Sequence, residues 1–345
     1  MSTIAVNAIT DASGGNTASI NGATPTTDNT MGRNRIINGD MRIDQRNAGA
    51  STSVSAGTTF YGTDRFAGFF GASATGCTTQ QSTTAPTGFI NSLKFAVGTG
   101  ASSSSGQSAW LGQRIEGLNV TDLGWGTANA ETVTLSFYVY ASATGTYSVV
   151  LQNSAGDRSY VATYTVSSAN TWEQKTITVT GDTSGTWLTT NGTGIIIRWD
   201  LGSGSSYNTA TTSAWQSGDY RNVSSQVNVI GTSSATFYIT GVQLEAGSVA
   251  TSFERRHYGT ELQLCQRYYQ KSVPTWGTSR SSDNYIHSSA FFKVSMRANP
   301  TLTQSYNTYG QTIGIQDQSV EYYVTGASSG ASSSLSAGYN ASAEL

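Results

Sequence analysis

The sequence predicts an all-β fold, a sandwich or a barrel. Short runs of alternating apolar and polar residues recur along the chain. Gly, Ser, Asn and Thr punctuate them, and no helical pattern of the ~10–15 residues that a parallel crossover needs lies between them. The alternation is clearest over Glu131–Tyr140, where Val133, Leu135, Phe137 and Val139 share one face and Thr134, Ser136, Tyr138 and Tyr140 the other. A period of two marks a strand with one buried face. Tyr147–Leu151 follows across Ala143, Thr144 and Gly145 as a hairpin partner. Tyr160–Val166, Thr176–Thr180, Gly194–Leu201, Gln226–Ile230 and Thr236–Leu244 continue the series. No longer period repeats, which argues against a solenoid or propeller.

One helix is expected. Thr260, Glu261, Leu262 and Gln263 read as a capping box with Thr260 as the N-cap. Leu262, Cys265 and Tyr269 then share a face, Leu264 and Tyr268 flank it, and Pro274 ends it. At ~13 residues it would span ~20 Å within a connecting segment, residues 257–272. Beyond it, Asp283–Met296 alternates again, and Thr312–Ile315 and Val320–Val324 complete a small β-unit, residues 273–345. Its Ser/Gly/Ala-rich tail, Gly326–Leu345, reads as loose, with Leu335 and Tyr339 free to dock on a neighbour. At the other end, residues 1–32 hold spaced apolar anchors (Ile4, Val6, Ile9, Ile20) among Asn, Thr, Ser and Gly. Such a segment cannot bury a core alone and suits a peptide ordered on a partner.

Composition narrows the function. Charged residues make up 11% of the 345, against ~25% in an ordinary domain, and the net charge is −2. Ser and Thr exceed a quarter of the chain, with 38 Gly and 18 Tyr. The surface is polar but scarcely charged, with no basic footprint for nucleic acid and no apolar run of membrane-spanning length. The first residues lack the basic and apolar regions of a signal peptide. Two cysteines and two histidines leave little for a zinc site or a Cys–His nucleophile. The chain therefore reads as one that binds or builds, not an enzyme, with no cofactor.

Several blocks resemble a known family. Asn34–Arg46, Tyr61–Phe66, Gln113–Gly117, Ile239–Thr251, Phe253–Arg256 and Gly259–Tyr269 together resemble phage virion fibre and tail proteins that carry a carbohydrate-binding-module-like jelly roll. The resemblance covers about residues 33–270 and implies a jelly-roll β-sandwich over 33–256, a place in the virion, and attachment through residues 1–32. Related modules hold a structural calcium through an Asp pair just before a Val of the last strand. Here that position reads Thr240-Gly241, so no metal is expected; Asp40 and Glu245 would supply the oxygens if one were held.

Aromatic residues are the ligand candidates, because a flat ring stacks on the apolar face of a pyranose. Trp199 alternates with Ile195 and Ile197 and reads as core. Trp187 and Trp215 stand in Gly/Ser/Thr-rich surroundings and read as ligand-facing, although tryptophans also fill sandwich cores. Trp276, Tyr322 and Tyr323 join Tyr285, Tyr306 and Tyr309 in an aromatic-rich C-terminal set that would meet either glycan or a neighbouring subunit. Asp64 with Arg65, and Glu116 with Arg114, read as strand-end ion pairs rather than as a hydrolytic carboxylate pair. Arg33, Arg35, Arg42 and Arg46 read as inter-subunit pairs or strand caps.

The expected protein is a homotrimeric, non-enzymatic virion component, a tail fibre or tail adhesin that engages host surface glycans. A capsid-decorating or head-fibre protein of the same fold is the alternative. A polysaccharide depolymerase ranks below both, because no parallel β-helix repeat is present.

Overall fold

A computed structural model describes residues 32–279, 286–307, 312–316, 319–323 and 335–345, with backbone alone at 272–279, 286–291, 304–307, 312–316, 319–323 and 335–339. In chain order the first strands are β1 (Thr52–Ser53), β2 (Phe60–Thr63), β3 (Phe66–Phe70), β4 (Thr78–Ser82), β5 (Ser92–Ala96) and β6 (Ala109–Glu116). Then come β7 (Val133–Ala141), β8 (Gly145–Gln152), β9 (Arg158–Val166), β10 (Glu173–Val179), β11 (Thr193–Asp200), β12 (Trp215–Ser217) and β13 (Thr236–Ala246). One antiparallel sheet has the order β1-β4-β5-β13-β7-β10 and faces a second, β12-β9-β8-β11-β6-β3-β2. This is the β-sandwich of a jelly roll.

The predicted alternation holds where the two sheets meet. Val133, Leu135, Phe137 and Val139 of β7 are fully buried, with Trp199 of β11 against Phe137 at 5.3 Å between ring centroids. Tyr147 of β8 reaches Phe237 of β13 at 5.9 Å. Gln226–Ile230, expected as a strand, is a loop. Val229 and Ile230 are buried in the core all the same, so the pattern recorded burial and not a ladder.

The opening and closing sequence blocks lie side by side. Asn34 donates through Nδ2 to the Val242 carbonyl at 3.0 Å and accepts from Leu244 N–H at 3.1 Å. The β13 bulge lies between Thr240 and Gln243. Gly39 is required there, because a Cβ would fall 2.1 Å from the Val242 oxygen.

The helix α1 (Tyr258–Gln266) starts before Thr260 and ends well before Pro274, which lies in β14 (Tyr269–Ser279). His257 is its N-cap, without a side-chain bond. Glu261 is buried and accepts from the Asn38 N–H and from Arg256, so it ties α1 to the opening segment. Thr260 lies inside the helix, so the expected box of Thr260 and Gln263 does not cap it. Cys265 packs with Ile37, Ile43 and Tyr268, and Leu262 borders the same cluster. This face is covered by the jelly roll of its own chain.

A third sheet, β16-β19-β14-β15-β18-β17, adds β15 (Ile286–Phe291), β16 (Thr301–Asn307), β17 (Thr312–Gln316), β18 (Ser319–Tyr323) and β19 (Leu335–Ser342). The tail expected to be loose is in part a strand paired with both β14 and β16. Its end packs on the jelly roll, where Ala341 and Ala343 are buried and Leu345 borders the Cys265 cluster.

A buried ionic cluster joins this tail to the sandwich, with pairings other than the expected ones. Arg65 bonds Glu344, Asp64 faces Arg46 at 3.5 Å, and Glu116 takes Arg267 at 2.6 Å and Tyr268 at 2.6 Å. The arginines of the opening block likewise pair within the chain, Arg35 with Asp122 and Arg42 with Asp40.

Burial pushes the Asp64 carboxyl up to about 6 and Glu344 adds to the rise, against Arg46 and Gln45, which favour the charge. A carboxyl raised in the fold contributes stability that is fully present below its unfolded value and lost as pH rises through about 6. The native protein should therefore gain stability over an Asp64→Asn variant as pH falls from 7 to 4, on the order of 3 kcal/mol. Paired urea titrations across that range check this; a difference that stays flat or reverses sinks it.

Candidate functional site

Trp187 and Trp215 come together, and with them Trp125, which sequence reasoning did not single out. The three indoles stand edge-to-face: 4.7 Å for Trp125–Trp187, 5.3 Å for Trp125–Trp215 and 5.2 Å for Trp187–Trp215. Three different stretches of chain supply them. Trp215 sits on the short edge strand β12 opposite Tyr160 of β9, which places it on the core-facing side of that sheet. Tyr160 packs against it at 5.3 Å. Trp125 follows a turn of 3-10 helix, Thr121–Leu123. Trp187 lies in the loop between β10 and β11.

Gly126 lets these two loops close on each other. Its φ of 86° is in the left-handed region, and a Cβ would stand 2.8 Å from the Gly185 oxygen and 3.1 Å from Trp187 Cδ1. Each indole N–H is then satisfied by a main-chain carbonyl: Trp125 by Glu131 at 2.8 Å, Trp187 by Ser184 at 3.1 Å and Trp215 by Thr180 at 2.7 Å. Those bonds fix the rings. Trp125 is buried, whereas Trp187 and Trp215 are half-buried, packed on the core from one side and open to solvent on the other.

Fixed polar groups stand beside them. Arg158 holds Asp182 through two bonds of 2.7 Å, and its side chain runs alongside Gly185. Asn153 bonds Asp157 at 2.6 Å and the Thr186 carbonyl at 3.1 Å, next to Trp187. Gln216 follows Trp215 and accepts from Thr209 at 2.9 Å. The result is an apolar surface of two held rings bordered by oriented donors and acceptors.

The other aromatic candidates are distributed differently. Trp199 is core, fully buried. Trp276 lies in β14, and Tyr322 and Tyr323 in β18, of the third sheet; their side chains fall outside the described residues. Tyr285 and Tyr309, and residues 1–31, also fall outside them.

Asp40 and Glu245 do not present free oxygens. Arg42 Nε stands 2.5 Å from Asp40 Oδ2 and Arg255 3.9 Å from it. Glu245 accepts from Gln243 at 2.9 Å and from Thr251 N–H at 2.9 Å and Oγ1 at 2.6 Å. A cation at Asp40 would have to displace a guanidinium. Among the described residues no group of three or more His, Cys, Asp or Glu could hold a metal, and no helix is long and apolar enough to cross a membrane.

No family model matches the chain, and no curated protein matches it. Several solved structures are similar to part of this chain at low identity. One, described as CBM4, is 16% identical with a TM-score of 0.32 over 61% of this chain and 98% of that one. The family 11 carbohydrate-binding module of Clostridium thermocellum, bound to a β-1,3-1,4-mixed-linked tetrasaccharide, is 11% identical with a TM-score of 0.29, over 58% and 98%. The enzymatically active domain of tailspike protein 4 from bacteriophage CBA120 is 10% identical with a TM-score of 0.32, over 62% of this chain and 21% of the tailspike chain. This chain thus spans about a fifth of that tailspike. At these identities and scores the likeness carries no argument.

Proposed function

We propose that this chain is a non-enzymatic phage virion protein, a tail fibre or tail adhesin, that holds host surface glycans on its Trp187–Trp215 surface. The observation that carries the reading is the indole cluster itself. Both exposed rings are immobilised before any ligand arrives, so little side-chain freedom is lost on binding. Their N–H groups are already bonded inward, and what they offer outward is π-surface for sugar C–H groups. Arg158 at the start of β9 and Asp157 in the turn before it stand near the rings to read hydroxyls. The sequence blocks that resemble phage tail proteins support the virion placement, and the spaced apolar anchors of residues 1–32 support attachment to other virion proteins through that segment.

Stacking on an aromatic ring contributes about 1–3 kcal/mol by analogy with base stacking. One such surface binds weakly, and a homotrimer would raise the avidity. Trp187→Ala and Trp215→Ala should each reduce retention on immobilised host polysaccharide at least about fivefold, the lower end of that stacking range. The chain ended after Lys271 should keep that retention. If both tryptophan variants fold and still adsorb fully, the surface is not the glycan site. If the shortened chain alone loses adsorption while urea unfolding shows its jelly roll still folded without Glu344, the third sheet holds it. Sedimentation tests the trimer, which a species of 36.2 kDa would overturn. Localisation of the subunit in a particle map separates tail from capsid face.

A further inference from the structure

The outer face of the second sheet carries a buried positive charge that no carboxylate among the described residues bonds. Among the described residues two arginines are buried, Arg65 and Arg198. Arg65 bonds Glu344. Arg198, on β11 and 9% exposed, bonds only the neutral Gln152 Oε1, and its Nε has no partner. Among the described residues none of the ion pairs includes it. The nearby carboxylate, Asp219, is held by Arg221 through bonds of 2.9 and 2.7 Å and by Gln152 at 2.7 Å. Burial, followed by Arg221 and Arg114, pushes the Arg198 guanidinium down to about 9, with Asp219 and Tyr207 opposing. A buried charge without a counter-ion is among the costliest arrangements in a protein, and here a like charge flanks it on two sides.

The strand register shows what surrounds it. Arg198 lies opposite Gly112 of β6, which lies opposite Ala67 of β3. The next outward row holds Phe69 opposite Trp110, with rings 6.5 Å apart and 23° from parallel. Arg198 stands 4.9 Å from the Trp110 ring centre. The row on the other side holds Arg114 opposite Ile196, itself opposite Gln152. A floor of small residues thus runs between an aromatic ledge and two guanidiniums, with half-exposed Tyr207 and Asp219 at its margin.

We infer that this face binds an acidic saccharide, with the carboxylate of a uronic acid on Arg198 and the sugar ring on half-exposed Phe69, which is backed by the buried Trp110. A guanidinium presents a planar fork that matches a carboxylate, and the Phe69 ring matches the apolar side of a pyranose. The inference rests on the glycan reading for the ring of the ligand; the requirement for an anion stands on Arg198. The site is on the outer face of the sheet, apart from Trp187 and Trp215, so each can fail without the other.

The test is calorimetric titration of the full chain with trigalacturonate, with the same trimer reduced to its neutral alcohols, and with acetate. Trigalacturonate should bind at least about tenfold more tightly than its reduced form. Arg198→Gln and Phe69→Ala should each weaken it at least about tenfold, and Ile90→Ala, at an exposed residue of neither surface, should leave it unchanged. Phe69 is half-exposed, so its variant reads the site even if Arg198→Gln does not fold. Equal affinity for both trimers, no binding of trigalacturonate, or full binding by folded Phe69→Ala overturns the proposal. Displacement by acetate at equal concentration also overturns it, because the site would then hold a simple anion. Loss of binding in Trp215→Ala alone would move the glycan to the tryptophan surface and leave this face without one.

Discussion

Glu344→Ala should lower the unfolding free energy of the jelly roll by about 3–5 kcal/mol, although the substitution lies one residue from the C-terminal end of the sequence. Its carboxylate neutralises Arg65 and also reaches Arg46 at 3.1 Å. Arg65 is 3% exposed, stacked 3.5 Å over the Tyr268 ring centre, and its remaining bond is to the Arg114 carbonyl at 2.6 Å. Removing the acid leaves that guanidinium buried and uncompensated, which costs more than the pair itself contributes. Glu344→Gln keeps an acceptor oxygen and should cost less. An Arg65→Met, Glu344→Ala double variant should recover part of the loss, because neither charge then stays behind. Urea unfolding of the four proteins measures all three values. A Glu344→Ala loss below about 1 kcal/mol, the range of an exposed pair, would show that Arg65 is solvated.

The same tail shows where sequence reasoning ends. Its Ser, Gly and Ala content says only that no apolar stripe organises it locally. What orders its last residues is a strand ladder with β14 and a carboxylate reaching Arg65, both across long sequence separations. Local period carried further: Val133, Leu135, Phe137 and Val139 alternate and are buried together. It misled at Gln226–Ile230, where a loop buries its apolar residues without a ladder, and at Thr260, which lies inside α1 while His257 is the N-cap. The candidate site was legible in part. Glycine and serine around Trp187 and Trp215 marked them as surface aromatics, but their meeting depends on β12 and on the closure at Gly126. Trp125 carries no local signal of its own, because its role is set by the two loops folded over it. Arg198 is less legible still, since an alternating Ile-Ile-Ile-Arg-Trp run reads as strand whatever its charge faces.

Trp199 is the residue whose place the sequence marked by alternation with Ile195 and Ile197, and its removal should be among the costliest core changes. It is fully buried at the meeting of the sheets, edge-on to Phe137 at 81°. Trp199→Ala should cost about 3–5 kcal/mol, the sum of lost apolar transfer and the cavity left behind. Trp199→Phe should cost much less, about 1–2 kcal/mol. The ring that remains still fills the site against Phe137. The change also removes an indole N–H that has no hydrogen-bond partner, and deleting an unsatisfied buried donor offsets part of the lost contact. Chemical denaturation of both variants separates the two effects. If Trp199→Phe costs as much as Trp199→Ala, the bicyclic shape and not its volume sets the spacing of the sheets. The indole would then be holding β7 and β11 apart at the width that lets Trp215 and Trp125 close the end of the sandwich, and the loss should appear in retention on immobilised polysaccharide as well as in stability.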